Sequence, residues 1–330
     1  MKRTVWAILF AVIIVVCILV FAVAMDRMPN GHNRGGNHAS EQAALDKSLA
    51  IAELMGVDTA KYSVTLDSYR QGLFLDVLPE ERVHCIFESD EGNITVSYSY
   101  IEGNLQSLTV NTEGQTQTNR PITSNFEMAQ DFLNKYQTFS GASYYTKMLS
   151  MLKDVEPDKD TTKISGNIEL RVTQDKSITE IRWTYIEKDI AVPVKNVALY
   201  FEQGFLKYFT DKWDIYKIGS NKITLSEKEA VEIAINHAKD YTWNTRSGGE
   251  NNQVKVTELN IAGVIETQLN FENRQDNTKN SEDPFTLYPM WRVELKLDKI
   301  YPDNVYGLEV TINADTKEVY TIQTMIQFGT

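Results

Sequence analysis

Cysteine and histidine are scarce: the 330 residues contain two of the first and four of the second. Cys17 lies inside a long apolar run and Cys85 stands alone in the strand-like segment VHCIF, so the chain beyond that run has no partner for an intramolecular disulfide. Its stability must come from a core. Cys85 reads as a small apolar side chain in that core, the other role open to it being a reactive or intermolecular thiol. The familiar catalytic signatures are missing too: there is no Gly-x-Ser-x-Gly, no His-Glu-x-x-His, no glycine-rich phosphate loop and no Cys-x-x-Cys. His32 and His38 fall in a Gly- and Asn-rich stretch without the cysteine or carboxylate framework that makes a specific metal site. A triad would have to recruit His84 or His237. His84 adjoins Cys85 in a strand, where neighbouring side chains point to opposite faces and cannot form a nucleophile–base pair. His237 falls on the inward stripe of an expected helix and reads as packed and hydrogen-bonded. Basic charge is also short. The net charge is −12, and since Lys2 and Arg3 are the only charges before Asp26, the body beyond the run is two units more acidic still. Such a body repels phosphates, which excludes nucleic acid as a partner. No catalytic residue, cofactor or metal is expected.

What the sequence does have is an unbroken apolar run over residues 5–24, VWAILFAVIIVVCILVFAVA, preceded by Lys2 and Arg3. About twenty helical residues at ~1.5 Å each span a ~30 Å hydrocarbon layer. The run therefore predicts a single-pass transmembrane signal-anchor in the cell membrane. The basic pair would hold residues 1–4 in the cytoplasm and place the body on the extracytoplasmic side. The competing reading is a signal peptide cleaved after Ala24, since Ala22-Val23-Ala24 has the small-x-small pattern. The run is longer than a usual signal segment, which favours retention.

Residues 25–39, MDRMPNGHNRGGNHA, read as a flexible tether. A pattern of an amphipathic helix followed by several strands then recurs three times, predicting α+β modules at 40–120, 121–220 and 221–330. In the first, a helix over 40–55 precedes strands near 62–69, 83–89, 94–100 and 105–110. In the second, Ser124 and Glu127 have capping-box spacing ahead of a helix ending at Gly141, and a helical piece at 142–155 leads into strands near 163–172, 178–187, 192–201 and 205–218. In the third, Ser226 and Glu229 repeat the box before a helix with Ala230, Ile233, Ala234, His237 and Ala238 on one stripe. Strands follow near 254–265, 290–297, 306–312 and 318–325, with the polar stretch 267–286 expected as a mobile loop. Each module would lay its helix across one face of an antiparallel sheet.

The third unit resembles a PepSY-type domain of the YcdB/YcdC-like repeats. The resemblance rests on the helix SEKEAVEIAINHAKDY, on Trp291-Arg292-Val293, and on the segment from Gly307 to Val319, GLEVTINADTKEV. It covers roughly residues 223–326 and departs from the family at Lys317, where the turn usually carries glycine. It implies a noncatalytic module of a kind proposed to modulate proteases or sense the cell envelope, and it transfers no catalytic residue.

Three further constellations have bland readings. Asp154, Asp158 and Asp160 lack the glycine and terminal glutamate of a calcium loop and read as a solvated turn. The aromatics Trp183, Tyr185, Tyr200, Phe201, Phe205, Tyr208, Phe209, Trp213 and Tyr216 could form a platform for sugar or peptide, but strand alternation assigns part of them to the core. Asn93-Ile94-Thr95 is a glycosylation sequon. The sequence thus predicts a membrane-anchored, noncatalytic binding or regulatory protein that docks a protein or peptide on a sheet edge or face. A cell-surface hydrolase with an unrecognised site and a structural envelope protein are the alternatives.

Overall fold

Local sequence accounts for the helices. In the computed structural model, which describes residues 38–114, 124–153, 155–156, 159–175, 177–245, 254–273 and 283–327, both capping boxes are formed. Ser124 Oγ accepts from the Glu127 N–H and Glu127 Oε2 from the Ser124 N–H, starting α2 (Asn125–Ser140). Ser226 and Glu229 do the same for α4 (Glu227–Lys239). Gly141 ends α2 at φ 71°, a conformation that favours glycine. α1 spans His38–Leu54 and α3 spans Tyr144–Leu152. Two units divide the chain, Met1–Ala43 and Ala44–Thr330. Of the first, the opening residues of α1 are described; both large sheets belong to the second.

Nine strands make one sheet. β1 (Ser63–Phe74), β2 (Leu78–Glu88), β3 (Gly92–Ile101) and β4 (Asn104–Gly114) form one meander; β5 (Thr161–Ser165), β6 (Ile168–Asp175), β7 (Ile178–Glu187), β8 (Ile190–Glu202) and β9 (Phe205–Asp211) form another. The order β1-β2-β3-β4-β9-β8-β7-β6-β5 joins them at their last strands, through Ser107↔Thr210, Leu108↔Phe209 and Thr109↔Tyr208. That junction is short, and α2 clamps it. The Phe132 and Tyr136 rings each lie 5.0 Å from the Phe209 ring, and Tyr136 Oη donates to Leu105 O at 2.9 Å. One core runs beneath the sheet from β1 to β6, from Ile51 and Cys85 through Leu108 and Phe209 to Trp183 and Val172.

A smaller sheet comes next in the chain. β10 (Lys217–Ile218) runs parallel to the start of β14 (Thr286–Tyr301), which pairs with β13 (Ile261–Asn273) and with β15 (Val305–Asn313); β15 pairs in turn with β16 (Val319–Ile326). β11 (Trp243–Thr245) and β12 (Val254–Val256) form a separate pair. Ala230, Ala234 and Ala238, four residues apart and fully buried, let α4 lie close on Val293, Leu295, Leu308 and Val310. Trp291 Nε1 donates to Leu225 O at 2.9 Å and fixes the approach to the helix. Gly307 is required by close approach: a Cβ there would sit 2.7 Å from Leu295 O.

Two expectations are corrected. Among the described residues the fold is mostly β, with no membrane helix and without repeated helix-on-sheet modules: the strands assigned to the first and second modules share one continuous sheet, because β4 and β9 bury Leu108 and Phe209 against each other's ladder under α2. The anchor at 5–24 lies outside the described residues, as does nearly all of the tether at 25–39, and among the described residues no helix is long and apolar enough to cross a membrane. The single-pass, signal-anchor, cell-membrane assignment, with its cytoplasmic N-terminus, extracytoplasmic body and membrane partner, therefore has no spanning helix behind it among the described residues and is withdrawn. Smaller corrections are local. Residues 267–273 are strand rather than loop, while 274–282 lie outside the described residues. The β1–β2 hairpin turns at Leu75 and Asp76, φ 50° and 59°, with no glycine to announce it.

Candidate functional site

The C-terminal end of β9 carries Asp211 beside a cleft of about 190 Å³ lined by Glu102, Gln106, Tyr136, Tyr144, Asp211 and Asp214, among others. Two consecutive tyrosines at the start of α3 reach this one carboxylate. Asp211 Oδ2 accepts from Tyr144 Oη at 2.6 Å and Tyr145 Oη at 2.5 Å, and Oδ1 accepts from the Trp213 N–H at 3.0 Å. Burial pushes the Asp211 carboxyl above the usual range, and the three donors pull it back. Burial and the same carboxylate raise both phenols. Nearby, Lys195 Nζ donates to the carbonyls of Trp213 and Tyr216 and lies 5.3 Å from the Tyr185 ring centre and 5.5 Å from that of Trp213; burial lowers its pKa.

Chemically this arrangement ties elements together. Both oxygens of Asp211 already hold donors, so the carboxylate fastens α3 to β9. The other two acids at the cleft, Glu102 and Asp214, are exposed, where water screens them and no wall fixes their spacing.

The residues singled out in the sequence are dispersed. Cys85 is fully buried, its Sγ 2.9 Å from Ser48 Oγ, which also meets Tyr98 Oη at 2.9 Å. His84 points the other way, with Nδ1 2.7 Å from Ser97 Oγ. His237 is exposed, contrary to the expectation of a packed histidine, because the helix turns its alanines rather than its Ile233–His237 flank to the sheet. His32, Asp154 and Asp158 lie outside the described residues; Asp160 Oδ1 accepts from the Gln174 N–H at 2.9 Å. His38 opens α1. Asn93 and Thr95 sit within β3. Among the described residues no group of three or more His, Cys, Asp or Glu side chains is placed to hold a metal ion. The aromatic set does not form one platform: Trp183, Phe201, Phe209 and Trp213 are buried, Tyr185, Tyr200, Phe205 and Tyr216 are half-buried, and Tyr208 is exposed.

A feature that the sequence did not announce lies on the smaller sheet. On the face turned away from α4, Glu266 of β13, Glu294 of β14, Glu309 of β15 and Gln323 of β16 stand directly opposite one another in register. Three carboxylates in one cross-strand row repel. Burial, then Glu266 and Glu309, raise the Glu294 pKa, while Arg292 pulls it down. Arg292 is shared, with Nη2 2.9 Å from Glu272 Oε1 and Nε 3.6 Å from Glu309 Oε2. Single residues in four separate strands compose this row, so no motif search could have found it.

Comparison with known proteins adds little. No family model matches the chain, and no curated protein does. Among solved structures, the C-terminal domain of YpeB from Bacillus megaterium is similar over 89% of this chain and 100% of its own, at 8% identity and a TM-score of 0.30.

Proposed function

We propose that this chain is a noncatalytic binding protein that takes up an extended protein or peptide segment by adding it as a strand to a sheet edge. The observation that carries this reading is the open antiparallel architecture. Among the described residues β1, β5 and β16 each pair with a neighbouring strand on one side alone. The other side of such a strand presents unpaired N–H and C=O groups, which bind an extended segment through its backbone and need no special side chains. Peptide capture of this kind would serve a protease modulator.

The test is equilibrium binding of a panel of extended peptides to the full chain, with proline-interrupted versions as controls. Binding that proline abolishes supports strand addition; failure of every peptide to bind overturns it. The hydrolase reading is kept for one observation, the cleft beside Asp211. It predicts turnover of protease or glycosidase substrates that Asp214→Asn or Glu102→Gln would abolish, and these two exposed residues can be changed without touching the core.

A further inference from the structure

Charge guards the other edge strands of the two larger sheets. β1 carries Asp67 and Arg70, β5 Lys163, β10 Lys217, and β13 Glu266 and Glu272. β16, VYTIQTMI, has no charged residue and no proline. Edge charges and prolines are the usual means by which folded proteins stop further strands from adding, so a strand without them is where addition is permitted. Residues 321–325 of β16 also keep unbroken register with β15, from Thr321↔Thr311 to Met325↔Gly307. At strand rise that is a straight stretch of roughly 17 Å.

The geometry points to the open edge of β16 as the docking site of an extended peptide that alternates apolar residues with lysine or arginine. This rests on the strand-addition reading above and names its edge and its partner. Each face of β16 contributes a reason. On the α4 side, Ile322 packs half-buried against the small-sheet core and Ile326 is 44% exposed, so apolar residues of an added strand would complete their cover. On the opposite side, Gln323 ends the row Glu266, Glu294, Glu309. A basic residue placed opposite Gln323 lies about two strand spacings, ~10 Å, from Glu309, and its long stem covers much of that distance over Gln323. It would supply positive charge to a row that holds like charges in contact.

A second copy of the chain fits worse. Two β16 strands paired about a dyad would continue the sheet with both acidic rows on one face, and Gln323 would meet neutral residues.

The probe is a short fluorescein-labelled peptide alternating valine with lysine, titrated with the full chain and followed by anisotropy and amide exchange. Binding should weaken about five-fold or more from low to high salt. Gln323→Glu should tighten it about three-fold and Gln323→Lys weaken it at least as much, with unchanged circular dichroism because Gln323 is exposed. Exchange protection should appear at 321–325. Equal binding of a valine–glutamate peptide, or indifference to both Gln323 variants, overturns the assignment. Protection mapped to β1 or β5 overturns it too, yet leaves strand addition standing. A free chain that is already a dimer protected at 321–325 gives the edge to a second copy and likewise overturns it.

Discussion

Lys317 Nζ lies 3.3 Å from Oε1 of Glu229, the glutamate that completes the capping box of α4. Lys317 itself sits at φ 64°, in the left-handed region, at the end of a turn in which Asn313 Oδ1 accepts from the N–H groups of Asp315 and Thr316. A lysine thus occupies a position that favours glycine, and its ammonium joins the β15–β16 turn to the start of the helix. Lys317→Gly should stabilise the fold by up to about 1 kcal/mol through released backbone strain. Lys317→Ala keeps the strain, loses the pair and should be slightly less stable than the parent. Urea denaturation of the two variants separates the effects.

The capping hydrogen bonds from Ser226, followed by Lys317, hold the Glu229 carboxyl down at about 2. A depressed carboxylate stabilises the fold above its unfolded value and loses that contribution as pH falls toward its folded value. The part of acid destabilisation that lies between about pH 4.5 and 2 should therefore shrink in Glu229→Gln, as read from melting temperature against pH.

Glu294 has the opposite sign. Its raised pKa means that the folded state binds the proton more tightly, so this group adds stability as pH falls through its folded pKa, complete below the unfolded value. Glu294→Gln should remove that slope and, at neutral pH and low salt, stabilise by roughly 0.3 kcal/mol through relief of cross-strand repulsion. High salt should erase the gain.

Asp211 gathers three donors, so its loss leaves three groups unmatched. Asp211→Ala should cost about 3 kcal/mol and Tyr145→Phe about 1 kcal/mol. Because Tyr145 and Asp211 share one bond, a double-mutant cycle between them should show clear coupling.

Cys85 should be silent to thiol reagents in the native state. It is fully buried, and burial raises its thiol pKa. Maleimide labelling followed by peptide mapping should find Cys85 modified after unfolding and not before.

What the sequence determined by itself is local. Ser124 with Glu127, and Ser226 with Glu229, start their helices through hydrogen bonds closed within four residues, whereas of the stripe expected on α4 only Ala230, Ala234 and Ala238 are buried and His237 is exposed. The isolation of Cys85 from His84 follows from strand alternation. The union of the two meanders was decided by tertiary structure, because β4 and β9 are about a hundred residues apart and any strand edge with suitable residues could have taken either. The convergence of Tyr144 and Tyr145 on Asp211 and the row from Glu266 to Gln323 arose the same way. Hydrogen-bond register between distant strands sets which side chains become neighbours, and that register is a property of the assembled sheet.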